Sequence, residues 1–388
     1  MSLEVKKRKN TWTYVLDIGI DPLTGNRKRK SKGGFKTKGE CRTAASKIIT
    51  ELNNGSFFEV VDITLENFLE KYFDTVKQNL APKTFVNYKC IANYHLIPKI
   101  GKMKLKQIKP LHIQDVYNAI LKTNSSTTAR HVHSFLHKAL NLAVKWRLIV
   151  NNPSEDVEKP KRAKTEMHVL NENQLNLFLK SLETFTIFLV SFIAATTGMR
   201  EAEICGLTWE NVNIENRTLY VKSQLQRIDK ELKLVPLKTN NSRRSIQLPN
   251  ILINTLEDVK ISQEENKKYF GDAYDNRGFV YAQPDGRPYD PGYISRNFIR
   301  VVREYKYKCQ NENGEHLEKT LIEMLSIPKI RFHDIRHTHS TLLLKRGISV
   351  KVVAERLGDT VDTVLHTYAH VLPDMQKEAA EKLDEIFD

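Results

Sequence analysis

The sequence predicts a multidomain α+β protein: a small N-terminal β-sheet with one helix, a four-helix bundle, and a mainly helical third unit with a small antiparallel sheet. Three observations predict it. A chain of 388 residues, 40% hydrophobic and 28% charged, suffices for two or three domains with real cores. Its apolar residues alternate near the N-terminus, take 3,4 spacing through the next hundred residues, and mix both periods beyond. Residues 151–166 hold two prolines, mixed charge and no apolar stripe, which reads as a linker. The expected boundaries are 1–60, 61–152, a linker at 153–166, and 167–388.

In the first unit, Trp12, Tyr14, Leu16, Ile18 and Ile20 alternate as a strand, and Asp21 to Asn26 reads as a turn. Arg27 to Lys32 follows as a second, very basic strand ending at Gly33-Gly34. Thr37 and Glu40 form a capping box for a helix that ends near Asn53-Asn54-Gly55.

Thr64 caps the first helix of the bundle, with Leu65, Phe68, Leu69, Tyr72 and Phe73 on one face. The second begins after Pro82 and is expected to end before Pro98. The third follows Pro110 through Ile113, Val116, Tyr117 and Ile120. The fourth covers Thr127 to Trp146, with Phe135, Leu136, Leu140 and Val144 inward.

In the third unit, Asn171 starts a helix with Leu175, Phe178 and Leu179, and an apolar helix ends at Thr196-Thr197-Gly198. Strands are expected at 218–223, 232–238 and 244–249. Helices are expected at 249–260, 291–304, 332–346, 350–356 and 363–369. The stretch 307–328 reads as a polar loop followed by a short helix.

Lys plus Arg total 61 against 46 Asp plus Glu, a net charge of +15. Residues 1–60 carry 13 basic and 6 acidic side chains, 61–164 carry 18 and 8, and the rest 30 and 32. The excess therefore sits in the first 164 residues, which points to a polyanion partner. Nucleic acid fits better than membrane, since no lipidation signal or basic amphipathic anchor is evident. The run Ile187 to Ala195 is far short of the roughly 20 residues that span a bilayer. Met1 to Asn10 lacks the apolar core of a secretory signal. Cys41, Cys90, Cys205 and Cys309 are far apart and unpatterned, which suits reduced thiols in a cytoplasm.

Four short motifs stand in order in the third unit. They are Thr197-Gly198-Met199-Arg200-Glu201-Ala202-Glu203, Leu237-Lys238-Thr239 followed by Ser242-Arg243-Arg244, His333-Asp334-Ile335-Arg336-His337-Thr338, and Leu357-Gly358-Asp359 with Tyr368 nine residues on and His370 after it. Together they resemble the signature boxes of the tyrosine recombinase (phage integrase) family. Each box alone is a weak signal; four in order are strong. The N-terminal sheet and the bundle resemble the arm-binding domain and the SAM-like core-binding domain of the longer integrases.

The resemblance implies a site-specific recombinase that cleaves and rejoins duplex DNA through a 3′-phosphotyrosine, to integrate and excise a phage or conjugative element. The implied catalytic residues are Arg200, Lys238, His333, Arg336 and the nucleophile Tyr368. The residue types suit that chemistry on their own terms. Two guanidiniums can clamp the non-bridging oxygens of a phosphodiester and stay charged at any working pH. Tyrosine is a poor nucleophile until cations and a base surround it. His333 has the right range to take or share its proton, and Lys238 can protonate the leaving 5′-oxygen. No cofactor or metal is called for. Asp359 departs from the family, which usually places a hydrogen-bond-donating histidine or tryptophan there. Either it turns away to hold an arginine, or it is tolerated with reduced activity.

Candidate DNA contacts are Arg27, Lys28, Arg29, Lys30 and Lys32 on the basic strand, Lys83, Lys102 and Lys104 in the bundle, and Arg243 and Arg244 beside the lysine motif. The resemblance also implies a homotetramer working on a Holliday junction, with arm and core DNA sites, a bacterial nucleoid-associated location, and an excisionase or DNA-bending protein as accessory partners. In that reading the acidic tail, Pro373 to Asp388, docks on a neighbouring protomer; Ala379, Leu383 and Ile386 in it are spaced as a helix stripe.

Three other readings compete. His333 and His337, with His339, suggest a zinc protease, although Asp334 stands where a glutamate base belongs. A non-catalytic DNA-binding regulator on the same scaffold is favoured by Asp359 alone. The third is a topoisomerase-like nicking enzyme.

Overall fold

In the computed structural model the chain divides between Ala163 and Lys164 into two compact units. The structure describes residues 2–20, 26–53, 62–162, 167–228, 230–237, 240–310, 316–368, 383, 384 and 387.

The N-terminal sheet has three antiparallel strands in the order β1 (Leu3–Arg8), β2 (Thr11–Ile20), β3 (Arg27–Phe35). Sequence reading had no strand at β1, because Val5 is its one part-buried residue and charge masks the alternation. Tyr14 and Leu16 are buried with Cys41 and Ala45 of α1 (Lys38–Asn53). The Thr37 hydroxyl accepts from the Glu40 amide at 3.1 Å, and the Glu40 carboxylate accepts from the Lys36 amide at 3.2 Å. All but Asn26 of the predicted turn lies outside the described residues.

The bundle comprises α2 (Leu65–Val76), α3 (Pro82–Ile91), α4 (Ile97–Ile100), α5 (Pro110–Thr123) and α6 (Ser126–Lys145). Phe68, Tyr72, Tyr117 and Phe135 are its largest buried side chains, each contributing about 1.5–3 kcal/mol of burial. Thr64 caps α2 and Ser125 caps α6. The second helix does not stop before Pro98. A π-helical turn at Ala92–Leu96 joins α3 to α4, and the Ile97 amide donates to the Ala92 carbonyl. The wider turn takes in a proline that lacks a donor and crowds the preceding turn.

The expected linker is also partly structured. Asn152 and Ser154 are buried. Asn152 donates to the Asn141 side chain (2.8 Å) and the His137 carbonyl (3.1 Å), Val157 joins the bundle core, and Arg130 donates to the Pro160 carbonyl at 3.2 Å. Side-chain hydrogen bonds to the strap replace the apolar stripe that the sequence lacks.

The second unit begins with α7 (Glu172–Ser181), capped by Asn171, then α8 (Phe188–Thr197) and α9 (Glu201–Cys205). Between residues 212 and 247, five strands form among the described residues where three were expected. Strands β4 (Val212–Asn213), β5 (Thr218–Val221) and β8 (Arg244–Gln247) make one sheet. Strands β6 (Ser223–Ile228) and β7 (Glu231–Pro236) pair as a separate hairpin. Helix α10 (Asn250–Phe270) outruns its expected end by ten residues. Its polar second half is held by Gln263, which accepts from the Trp209 indole (2.7 Å) and donates to the carbonyls of Phe279 (3.2 Å) and Val280 (3.1 Å). After α11 (Pro291–Ile299), the expected loop contains a hairpin of β9 (Tyr307–Gln310) and β10 (His316–Lys319), then α12 (Leu321–Leu325). Helices α13 (Phe332–Lys345), α14 (Val350–Leu357) and α15 (Val361–Tyr368) close the described unit. Apart from 383, 384 and 387, the expected tail helix lies outside the described residues. No helix among them is long and apolar enough to cross a membrane.

Candidate active site

Helices α8 and α14 both end on a glycine in the left-handed region, Gly198 (φ 69°) and Gly358 (φ 68°). Each reverses the chain so that nearby carbonyls face one buried arginine. Arg336 of α13, 4% exposed, donates to the carbonyls of Gly198 and Leu357, the latter at 2.9 Å. A Cβ on Gly198 would stand 2.7 Å from His339 Cδ2 and 2.8 Å from Leu357 Cδ2. Gly198→Ala is therefore expected to cost about 2–4 kcal/mol, from the left-handed backbone and the overpacked contact together. Denaturant unfolding checks this; a loss under about 0.5 kcal/mol would refute it.

Past Gly198 the chain delivers Arg200, which precedes α9. The Arg200 amide donates to the Glu203 carboxylate at 2.9 Å, and its guanidinium pairs with Glu203, also at 2.9 Å. Past Gly358 the chain delivers Asp359. Its carboxylate bridges the two guanidiniums, one oxygen on Arg200 and the other on Arg336 at 2.6 Å. Burial opposes the charge on Arg200, but Glu203 and Asp359 more than offset it and raise its pKa. Burial and the nearby Arg200 lower that of Arg336. Burial also works to raise the pKa of Glu203, yet Arg244 and Arg200 bring it below the usual range.

Tyr368, at the end of α15, is 4% exposed. Its hydroxyl lies 2.9 Å from His337 Nδ1. Burial raises its pKa, opposed by Ser340 and the charge of Arg336. The His333 ring stands edge-on to His337, with centroids 4.8 Å apart. One side of His333 is open to solvent, but desolvation by the surrounding protein, then the charges of His337 and Arg336, push its pKa down to about 4.

The structure thus brings Arg200, Arg336 and Asp359 into direct contact, with Tyr368 and His337 forming the neighbouring pair. Lys238 lies outside the described residues, as does His370. Arg244 departs from the DNA-contact expectation: its side chain is 5% exposed and pairs with Glu203 at 2.8 Å while donating to the Arg356 carbonyl at 2.7 Å. It is buried as the counter-ion of a buried carboxylate. Arg243 is exposed, as are Lys83 and Lys102. Lys104 and Lys106 share Asp62. On β3, Lys30 and Lys32 pair across from Leu16 and Tyr14, on the face of the sheet that packs on α1, with Lys30 half-buried and Lys32 exposed. Arg29 and Ser31, opposite Asp17 and Val15, take the open face.

The zinc reading fails on geometry. His339 Nδ1 turns into the core to the Ala195 carbonyl at 2.7 Å, and His337 is engaged by Tyr368. Among the described residues, no group of three or more histidine, cysteine and carboxylate side chains is arranged to hold a metal ion. Sequence reading missed His337 as the partner of Tyr368, since nothing in the spacing of residues 337 and 368 signals the contact. It also missed Arg356, which donates to the carbonyls of Thr196 (2.8 Å) and Gln247 (3.0 Å).

Two arginines converge on one carboxylate, with a tyrosine at the end of α15 beside them, and the chain's relatives say which class of protein carries such a site. Residues 168–375 match the phage integrase family, 64–121 the phage integrase N-terminal SAM-like domain, and 4–52 an arm DNA-binding domain. The chain belongs to the phage integrase family. It is 27% identical to a tyrosine recombinase XerC-like protein of Caldanaerobacter subterraneus, over 99% of this chain and 98% of that protein. It is 25% identical to the ICEBs1 integrase of Bacillus subtilis, over 99% and 100%. The fold is shared with the Tn1549 transposon integrase in complex with a circular intermediate DNA (TM-score 0.64, 20% identity, 83% of this chain and 99% of that one). It is also shared with a lambda integrase tetramer bound to a Holliday junction (TM-score 0.56, 18% identity, 92% and 96%).

Proposed function

We propose that the protein is a site-specific recombinase that integrates and excises a mobile element, a phage or a conjugative element, by cutting and rejoining duplex DNA through Tyr368. The observation that carries this is the Arg200–Asp359–Arg336 bridge. Two guanidiniums hold the two oxygens of one anion, and the scissile phosphate presents the same pair of oxygens once the carboxylate moves aside. Preorganised cations there stabilise the charge that builds on the non-bridging oxygens. The Tyr368 oxygen attacks phosphorus, Lys238 protonates the leaving 5′-oxygen, and His333, neutral at working pH, lines the phosphate. The 3′-phosphotyrosine keeps the energy of the broken bond, so religation to another strand needs no ATP.

The exposed cations Arg27, Lys28, Arg29, Lys32, Lys83, Lys102 and Arg243, with the half-buried Lys30 and Lys104, serve duplex arm and core sites. Four protomers exchange strands through a Holliday junction on nucleoid DNA, and an excisionase or DNA-bending protein sets the direction. Arm, SAM-like and integrase matches in one chain, together with the DNA-bound lambda and Tn1549 structures, support this reading.

The test is adduct trapping on nicked duplexes from the region flanking the gene, in chelator and without ATP. The wild type is expected to give a denaturant-resistant protein–DNA band, and Tyr368→Phe to abolish it, a loss of about ten-thousandfold or more, while DNA binding persists. A second reading, a DNA-binding regulator, is favoured by Asp359 filling the phosphate seat. It requires tight, salt-sensitive binding with no band from the wild type.

A further inference from the structure

We propose that His337, rather than His333, takes the proton from the Tyr368 hydroxyl, which makes it a catalytic residue of strand cleavage. This rests on the reading of Tyr368 as nucleophile. The tyrosine oxygen is the reacting atom, and the ring nitrogen 2.9 Å from it belongs to His337. The two rings meet at 60° with centroids 5.8 Å apart. His337 follows Arg336 directly on α13, so one rigid helix carries both a phosphate clamp and the base.

The surroundings suit a neutral acceptor. Burial lowers the His337 pKa below the ordinary histidine value, and the charges of Arg336 and Arg331 act in the same direction. Asp334 on its own helix and Asp359 from the turn after α14 act against them. His333 stands edge-on one turn away, and Tyr368 faces the ring from α15. A neutral ring accepts through Nδ1 when Nε2 carries the hydrogen. Burial of Tyr368 raises its pKa, so the hydroxyl stays protonated until a base removes the proton.

The step balances. The hydroxyl proton passes to Nδ1 and leaves an imidazolium, and the freed oxygen pair forms the bond to phosphorus. The bond from phosphorus to the 5′-oxygen breaks, and that oxygen takes a proton from the Lys238 ammonium. On religation the imidazolium returns its proton to the tyrosine oxygen.

Single-turnover adduct formation on the nicked duplexes, from pH 6 to 9.5, tests the assignment. His337→Ala is expected to slow the step by about a hundredfold or more near pH 7. Its rate should then climb about tenfold per pH unit, as hydroxide replaces the base, where the wild type has levelled off. Imidazole in the buffer should restore part of the rate. A 5′-bridging phosphorothiolate, whose sulfur leaves without a proton, should restore none of it. His337→Gln keeps a hydrogen-bonding side chain but cannot hold the proton, and should match His337→Ala in rate with wild-type melting temperature and DNA affinity. A wild-type rate or pH profile in both variants, or rescue by the phosphorothiolate, overturns the role. A wild type that binds the DNA without an adduct, or an adduct from Tyr368→Phe, overturns the nucleophile itself and His337 with it.

Discussion

Arg336→Ala is expected to slow adduct formation by about a thousandfold or more, the scale on which a lost phosphate-stabilising arginine acts. Three anchors hold this guanidinium: the Gly198 and Leu357 carbonyls and the Asp359 carboxylate. The two carbonyls thus orient it before any phosphate arrives, and only the Asp359 carboxylate has to give way. Arg336→Lys separates charge from shape. The ammonium keeps the positive charge but cannot span two carbonyls and an anion at once, so recovery of more than a small fraction of activity is not expected. Arg336→Ala also leaves Asp359 without this partner, which costs about 3 kcal/mol of stability, so melting and DNA affinity belong beside the rate. A lysine variant as fast as the wild type would sink the clamp.

Asp359→Asn is expected to raise cleavage about tenfold. The carboxylate occupies both guanidiniums, and the phosphate has to displace it. Each charge-assisted hydrogen bond carries about 1.5–3 kcal/mol, and a neutral amide with one acceptor oxygen relinquishes the arginines more readily. The difference of about 1.4 kcal/mol corresponds to a factor of ten. Asp359→His adds a donor where the carboxylate offers none and should likewise hold or raise the rate. Single-turnover rates at saturating DNA read both. A tenfold loss in both variants would mean that the carboxylate is needed to hold Arg200 and Arg336 in register, and the competition with phosphate would be wrong.

The residues with the strongest local signals were legible in advance. Phe68, Tyr72, Ile113 and Phe135 repeat at helical spacing, and Thr64 and Asn171 cap the helices they precede. The helices needed no partner to be recognised, because backbone hydrogen bonding and apolar periodicity within ten to twenty residues encode them. Where local pattern and tertiary contact disagreed, contact won. Pro98 is carried inside a helix by a π turn. The polar end of α10 is held by Gln263. The strap at 152–160 is pinned by hydrogen bonds to α6.

The site divides along the same line. The sequence by itself determined the resemblance to the family, the four motifs and their order, and the excess of positive charge in the first 164 residues, since residue type and order survive without coordinates. Only the tertiary structure decided which groups meet. It placed Asp359 between two arginines, 159 and 23 residues away along the chain, turned Arg244 inward to Glu203, and set His337 rather than His333 against the Tyr368 hydroxyl. These are contacts between separate helices, turns and a strand, set by two left-handed glycine caps and the packing of α13 against α8 and α14. No periodicity within one segment records where another segment will lie.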